Sequence, residues 1–347
     1  MKEEFMKILS VIIPAYNSEQ FLDKCVSSLL VPEVLDRLDI IIVNDGSTDN
    51  TAETAEKYCT KYPGSIRLIS QENKGHGGAL NTGCAAAVGK YLKVIDADDW
   101  VETQNLPKFI RLLESCESDV VLTHHYTIDV GTGEVKKWKS FPAEFGRSYT
   151  MDEIMADWKS FDRSLTFHGI TYRTAFYHEY GILLSEHVFY EDHEYATFPC
   201  CHAKTVTPFD LFLYDYRIGD VAQSVSEANQ LKRMSHTETV LNRMIQEYGV
   251  LNCDEGGKAY AAMKTQGLLL SYLTTALLVE PDRKKGRAMA KGAQEIFCAR
   301  IPANSHGARS KYRVFLWMNR LGLTKKAWDW VLRSKLYNIL RHNHDFA

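Results

Sequence analysis

The sequence predicts an α/β protein in which a mostly parallel β-sheet is flanked by helices and followed by a C-terminal helical region. Short apolar runs alternate with amphipathic segments through the first 125 residues, an order typical of β–α–β units. Beyond about residue 225 the pattern is helical almost throughout. A chain of 347 residues has room for about two domains. We therefore predict one domain over residues 1–225 and a second over residues 226–347.

Local patterns place the individual elements in order. Residues 8–13 form an apolar strand run that stops at Pro14, and Ser18 is placed to start a helix. That helix has apolar residues at helical spacing, from Phe21 to Leu30. The same reasoning predicts strands near 40–43, 66–70, 91–95, 120–122, 166–172 and 205–216, and helices near 50–62, 76–88, 151–160, 173–180 and 190–200.

Charge is distributed unevenly along the chain. From Asp282 onward there are 15 Lys and Arg against 4 Asp and Glu, which is a net charge of +11. Because the whole chain carries −3, the preceding residues carry −14. The basic region also contains Trp317, Trp328 and Trp330, so it predicts basic amphipathic helices. Two interpretations stay open: a helical cap with a solvated basic face, or a surface that meets a membrane or an anionic acceptor.

Cysteine usage and hydropathy bear on the compartment. The eight cysteines show no C-x-x-C spacing, and the first residues, Met1-Lys2-Glu3-Glu4-Phe5, do not resemble a signal peptide. The longest stretch without charge, residues 265–279, has 15 residues, short of the roughly 20 that cross a bilayer. We expect reduced thiols and a cytoplasmic protein, with peripheral contact at the inner face of the membrane as an option. Nothing in the charged region resembles a nucleic-acid-binding motif, and no nucleic-acid partner is expected.

Acidic residues follow two strands of the predicted sheet. Asp45 comes after the second strand, and Asp96, Asp98 and Asp99 come after the fourth. Ligands of parallel sheets bind at the carboxyl ends of strands, so one crevice could hold a nucleoside at Asp45 and a divalent cation at Asp98. Clustered carboxylates repel one another unless a cation compensates them. The alternative is that both segments are solvated turns that cap the following helices.

A glycine-rich segment lies between these two strands. Residues 73–83 are not a dinucleotide loop, because Leu80 stands where the third glycine would be, and the chain has no phosphate-binding Gly-Lys-Ser/Thr loop. We expect the glycines to allow a tight helix start and close packing near a diphosphate.

Together these segments resemble glycosyltransferase family 2. The similar segments are residues 9–17, 42–49, 73–83 and 96–99, with shorter ones at 189–192 and at 214–217 followed by Ser224.

The resemblance implies a Rossmann-like GT-A fold and roles for particular residues. Tyr16, with Pro14, would line the pocket for the base. Asp45 would bind uracil or an equivalent base, and Asp96 would contact the ribose. Asp98, the second aspartate of the D-x-D motif, would coordinate Mn²⁺ or Mg²⁺. Asp192 would be the general base.

Two details adjust what the resemblance implies. The segment around Arg217 would lie near the donor diphosphate, so we count this side chain among the donor-binding residues. Family members usually carry an arginine where this chain has Leu80. The contacts of that arginine with phosphate or acidic residues therefore have no evident counterpart in the sequence.

The resemblance implies inverting transfer of a sugar from a nucleotide-sugar, with UDP as the expected nucleotide, to a hydroxyl group. The charge of the basic region suggests that this hydroxyl belongs to a glycan or lipid-linked acceptor in polysaccharide biosynthesis. The chain lacks the Gln-x-x-Arg-Trp element of the processive synthases, which favours a single addition. One alternative is a non-catalytic sugar-nucleotide-binding protein on the same fold. Another, a nucleotidyltransferase, would need a basic glycine-rich loop after the first strand, where residues 14–17 do not provide one.

Overall fold

The computed structural model describes residues 6–219 and 227–333. These residues divide into two compact units, which are described separately. The first contains residues 6–219 together with 252–261, and the second contains residues 227–251 and 262–333.

A β-sheet forms the centre of the first unit. Its first two strands, β1 and β2, are buried along their whole length, as expected of parallel strands covered on both faces. The strand order is β3-β2-β1-β4-β8-β6-β9-β5, with β7 on β6. The strands of the described residues are β1 (Leu9–Ala15), β2 (Leu38–Asp45), β3 (Ile66–Gln71), β4 (Tyr91–Val94), β5 (Trp100–Val101), β6 (Val120–Asp129), β7 (Val135–Trp138), β8 (Ile170–Arg173) and β9 (Val206–Ile218).

Strand direction follows the connections. Strands β3, β2, β1 and β4 are mutually parallel, and β9 is parallel to β6. Strand β8 runs antiparallel to both β4 and β6, while β5 and β7 each pair antiparallel with one neighbour. The predicted α/β class with a mostly parallel sheet is confirmed. The sequence analysis did not include β5 or β7.

Helices flank the sheet, and the longer ones bury one face. Helix α4 buries Leu106, Phe109, Ile110 and Leu113, which recur at helical spacing. Ser18 stands before α1 as expected, but its hydroxyl donates to the carbonyl of Tyr16 and makes no cap bond. The helices that lie wholly in this unit are α1 (Glu19–Leu29), α2 (Thr51–Lys61), α3 (Gly75–Ala86), α4 (Leu106–Ser115), α5 (Met151–Ala156), α6 (Trp158–Phe161), α7 (Thr174–Tyr180), α8 (Asp192–Tyr195) and α9 (Phe198–Cys201).

The remaining described residues are helical, as the sequence predicts. Within this described part of the chain, no helix combines the length and apolar character needed to cross a bilayer. The eight cysteines are free thiols. The helices are α10 (Glu227–Lys232), α11 (Met234–Tyr248), α12 (Glu255–Thr274), which continues into a π-helical turn at Thr275–Val279, α13 (Arg283–Arg300), α14 (Ser305–Arg320) and α15 (Lys325–Arg333).

Candidate active site

Three adjacent strands bring the predicted donor-binding residues to one edge of the sheet. Strand β1 lies between β2 and β4 and is parallel to both. Asp45 ends β2, Tyr16 follows β1, and Asp96 follows β4. Pro14 is buried in β1, whereas Tyr16 is exposed. The carboxyl edge formed by β2, β1 and β4 is therefore the candidate site.

Asp45 is buried and only partly satisfied. The side-chain amide of Gln71 donates to its Oδ1 at 2.7 Å, and the backbone N–H of Lys74 donates to the same oxygen at 2.9 Å. Its other oxygen, Oδ2, is buried and has no hydrogen-bond partner. Buried carboxylate oxygens are rarely left without a donor. The Oδ2 atom thus keeps an unused acceptor site.

The three aspartates of the acidic turn after β4 have different surroundings. Asp99 is buried and accepts hydrogen bonds from the Tyr214 hydroxyl at 2.5 Å and from the backbone N–H of Arg217 at 2.7 Å. Asp99 therefore ties the turn to β9 and has a structural role. Asp98 keeps 38% of its side chain exposed, with Arg217 Nη1 3.9 Å from its Oδ2.

Electrostatics separate Asp98 from an ordinary surface carboxylate. Burial, followed by repulsion from the charge of Asp96, raises the pKa of Asp98 to about 6. Burial also raises the pKa of Asp99 well above its usual range, with the charges of Asp96 and Asp98 adding to the shift. A bound cation near Asp98 would relieve this repulsion.

His76 joins two carboxylates from distant parts of the chain. Its Nε2 lies 2.9 Å from Asp96 Oδ1, and its Nδ1 lies 2.5 Å from Glu191 Oε1. Burial would lower the pKa of His76, but the charges and hydrogen bonds of Asp96 and Glu191 outweigh it, and the pKa lies well above the usual value. The ring is an imidazolium that donates from both nitrogens. Glu191 is itself buried, and its Oε2 has no partner.

The glycine-rich segment packs against the residues that precede Asp192. The backbone N–H of His187 donates to the carbonyl of Lys74 at 2.8 Å. A side chain at Gly77 would collide with the carbonyl oxygen of Ser185 and approach Glu191. The glycines allow a helix to start at Gly75, as the sequence predicts, and they also let residues 185–191 lie directly on that helix. Asp192 begins α8 immediately after Glu191.

An aromatic surface lies beside the acidic turn. The ring of His168 stacks on Tyr216 with centroids 4.1 Å apart and meets Tyr214 edge-on at 4.9 Å. Burial lowers the pKa of His168 to about 4, although the charges of Asp96 and Asp192 oppose that shift. His168 is therefore neutral at neutral pH, and the charges of both carboxylates act on it.

Lys93 ties this surface to β4. Its ammonium is buried and donates to the carbonyls of His168 at 2.7 Å and Ile170 at 3.1 Å. Burial lowers the pKa of Lys93 to about 7. The sequence analysis did not single out Lys93, because a lysine within an apolar run gives no sign of what its ammonium contacts.

A single network links five of the predicted residues. Asp45 binds the backbone of Lys74, two residues before His76, which binds Asp96 and the residue next to Asp192. Arg217, near the end of β9, lies beside Asp98. Pro14 and Tyr16 occupy the neighbouring strand and its end. Ser224 lies outside the described residues.

His76 is the functional candidate that the sequence analysis missed. The sequence signal was the absence of the family's arginine at Leu80, because His76 lies one helical turn earlier on the same face of α3. When a family's cationic side chain is missing at one helix position, a residue one turn away on the same face can carry the positive charge instead.

The described residues contain no group of three or more His, Cys, Asp and Glu side chains placed to hold a metal ion by themselves. Mg²⁺ and similar ions are commonly held by one or two carboxylates and substrate phosphates. A partly exposed carboxylate with a raised pKa, beside a second carboxylate, fits that kind of donor set.

The sheet, its helices and the carboxylate network at the carboxyl edge define a GT-A protein. The crystal structure of Staphylococcus aureus TarS 1-349 in complex with UDP-GlcNAc is similar, with a TM-score of 0.63 and 20% identity over 91% of this chain and 92% of that one. Residues 10–184 match the family described as glycosyl transferase family 2. The chain belongs to that family, as the sequence analysis predicted.

Other similar proteins carry related names. The uncharacterized glycosyltransferase EpsJ of Bacillus subtilis is 40% identical over 114 residues, which is 33% of this chain and 33% of EpsJ. The mannosyltransferase PcManGT of Pyrobaculum calidifontis, solved in complex with GDP-Man and Mn²⁺, has a TM-score of 0.50 and 17% identity over 91% of this chain and 85% of that one. The chain spans between a third and about half the length of the first curated relatives it matches.

Proposed function

We propose that this protein is an inverting glycosyltransferase that moves a sugar from a UDP-sugar to a hydroxyl of a glycan or lipid-linked acceptor. The observation that carries the proposal is the network that joins Asp45, Asp96 and the Glu191–Asp192 pair through residues 74–76. The network brings together a carboxylate proposed to bind the nucleobase, an acidic turn, and the proposed general base, all at one edge of the sheet.

Donor binding follows from the chemistry of these side chains. The unpartnered Oδ2 of Asp45 suits the N–H of a uracil ring, and Tyr16 and Pro14 would flank that ring. Asp96 would accept a hydrogen bond from the ribose. Support for a nucleotide-sugar donor comes from the similarity to TarS, whose structure contains UDP-GlcNAc.

Asp98 is the residue proposed to hold Mn²⁺ or Mg²⁺, together with diphosphate oxygens. Such an ion, when bound, neutralises charge that develops on a leaving diphosphate. Arg217 would add a positive charge on the same side, because its guanidinium lies 3.9 Å from the Asp98 carboxylate. The similarity to a mannosyltransferase solved with Mn²⁺ supports the same proposal.

Asp192 is the proposed general base. Its carboxylate would take the proton of the acceptor hydroxyl while that oxygen bonds to the anomeric carbon of the sugar. The bond from that carbon to the diphosphate oxygen breaks in the same step, and the nucleoside diphosphate leaves with the electron pair. Attack opposite the leaving group inverts the anomeric configuration. The aromatic surface of His168 and Tyr216 offers a face for the acceptor sugar.

The test is donor hydrolysis and transfer across a panel of nucleotide sugars with Mn²⁺. We expect Asp98→Ala to weaken both metal-dependent donor binding and turnover. Asp192→Asn should keep donor binding and lose transfer. Asp23→Asn, which changes an exposed carboxylate on α1, is the matched control. Full transfer by Asp192→Asn would refute the base assignment, and donor binding without turnover in the wild type would favour the non-catalytic alternative.

A second proposal concerns the basic helical region. Helix α14 exposes Val314 and Trp317 beside the exposed Arg313 and Arg320, and it contains no acidic residue. Leu321, directly after the helix, is also exposed. A tryptophan among arginines on one exposed helix face is typical of interfacial helices. We propose that this face contacts anionic lipid, which would place a cytoplasmic enzyme at the inner face of the membrane.

Vesicle co-sedimentation tests this contact. We expect binding to phosphatidylglycerol vesicles to weaken about tenfold in the double variant Trp317→Ala/Arg313→Ser. The arginine contributes about 1 kcal/mol near an anionic surface, and the tryptophan adds apolar area buried in the interface. Lys291→Ser on α13 serves as the control for loss of a charge. Equal binding by wild type and double variant would contradict the proposal. If the wild type binds soluble polyanions but not vesicles, the basic region is better explained as a site for an anionic acceptor.

A further inference from the structure

The His76 ring forms two hydrogen bonds at once, each to a carboxylate from a different part of the chain. Its two ring nitrogens contact carboxylates that follow β4 and precede α8, at 2.9 and 2.5 Å. Glu191 is 115 residues from His76 along the chain, so this contact fastens two remote segments together.

The segment that His76 fastens has a strained backbone. His187 and Tyr190 adopt φ values of 56° and 77°, in the left-handed region that costs non-glycine residues about 1–3 kcal/mol. Such conformations persist only where neighbouring contacts hold them. Asn81 provides two such contacts, donating to the carbonyl of Leu184 at 3.0 Å and accepting from its N–H at 2.8 Å. The His76 contact with Glu191 holds the other end of the segment, directly after Tyr190.

Charge gives the contact its importance. Glu191 is buried, and one of its oxygens has no partner. Asp96 and Asp98 add negative charge nearby, and Arg217 lies at Asp98. Without the imidazolium, Glu191 would be a buried carboxylate without its cationic partner. Moving into water would remove the free-energy cost of that burial. That movement would carry Asp192 away from the acidic turn.

The geometry points to His76 as a positioning residue that holds the Glu191–Asp192 pair at a fixed spacing from the donor-binding carboxylates. The inference rests on the proposed function for its effect on catalysis, but its structural part does not. His76 contacts neither the acceptor nor the reacting atoms in this assignment. It acts through Glu191.

Hydrogen exchange measured by mass spectrometry tests the structural part on the whole protein. In His76→Ala we expect amides of residues 185–195 to exchange about tenfold faster, while peptides from β1 and β2 stay unchanged. His76→Gln, which keeps a single donor, should be intermediate and covers the case in which the alanine variant misfolds. The control is His178→Ala, because His178 also hydrogen-bonds α3, at the carbonyl of Cys84 near its other end. Exchange within twofold of wild type in both His76 variants would overturn the inference.

Kinetics test the catalytic part. We expect His76→Ala to lower kcat about 10- to 100-fold while KM for the donor changes less than threefold, because misplacing a base costs rate rather than ground-state binding. In a double-mutant cycle with Glu191→Gln, the double variant should lose no more than the worse single variant. Additive losses would overturn action through Glu191. If the wild type transfers no sugar from any donor, the proposed function fails, and the exchange experiment still decides the role of His76.

Discussion

Buried aspartates at the two ends of strand β2 differ in how fully their oxygens are hydrogen-bonded. At the amino edge, Asp39 in β2 receives Arg67 Nε at 2.8 Å and Nη2 at 3.0 Å, and the Ser10 hydroxyl donates to it at 2.6 Å. At the carboxyl edge of the same strand, Asp45 is as deeply buried but leaves Oδ2 without a partner. Two aspartates six residues apart in one strand thus differ in the number of carboxylate oxygens that lack a hydrogen-bond partner.

The same contrast repeats elsewhere along these edges. Asp119, which precedes β6 at the amino edge, pairs with Arg173 at 2.5 Å and accepts the backbone N–H of Lys204 at 2.9 Å. At the carboxyl edge, Asp96 and Glu191 share one imidazole. Both carboxylate oxygens of Asp39 and of Asp119 have partners and stabilise the fold. Asp45 and Glu191 each keep one oxygen without a partner at the other edge.

The largest effect expected from this contrast is on stability. Asp39→Ala should lower the free energy of unfolding by about 2 kcal/mol, because it removes the acceptor of the buried Ser10 hydroxyl and the charged partner of Arg67, whose side chain is 40% exposed. Urea denaturation followed by circular dichroism measures the change. Asp45→Ala is the matched variant on the same strand and should cost clearly less. Equal losses in the two variants would contradict the division between the edges.

A smaller effect is expected on nucleotide affinity. Asp45→Asn keeps an acceptor for Gln71 and Lys74 but places an NH₂ group where the unpartnered oxygen stands. We expect the affinity for UDP, measured by isothermal titration calorimetry, to fall about tenfold, the value of one hydrogen bond to a charged group. Asp39→Asn should leave UDP affinity unchanged at a temperature where it is folded. A tenfold loss in that variant too would remove the distinction.

The smallest expected effect is a dependence of stability on pH. The pKa of Asp98 is raised to about 6 from 3.8, so between these values the folded state binds more protons than the unfolded state. Its contribution to stability is therefore lost as pH rises from about 4 to about 6. In metal-free buffer, Asp98→Asn should gain stability relative to wild type over that range, by less than about 1 kcal/mol because the group is partly exposed. A difference that is flat with pH would be evidence against the raised pKa.

Much of the fold could be predicted because its signals are local. The strands β1 and β2 are continuous apolar runs, and α4 shows helical spacing of apolar residues. Strand β5 has two residues, too few for any pattern, and is defined by its pairing with β9. The direction of β8 depends on the path of a long connection, which sequence pattern does not encode. These elements arise from tertiary contacts.

The site could be predicted only in part, for the same reason. Asp45 and Asp98 follow strands whose ends must meet in a parallel sheet, so their neighbourhood follows from topology. His76 looks like one more residue of a glycine-rich helix start, and its partner Glu191 is fixed by how residues 185–191 pack. The pairing of Arg173 with Asp119 at the opposite edge likewise has no local sequence signal. Individual side-chain pairings over such distances need coordinates.

The contact at Gly77 has a consequence for how this protein can vary. Because the backbone of residues 185–191 rests where a side chain at Gly77 would be, the two stretches are constrained to diverge together. A chimaera that imports residues 181–195 from a relative should work only when residues 73–83 come from the same parent. The modular unit for recombination is then a pair of segments separated by about a hundred residues of intervening chain.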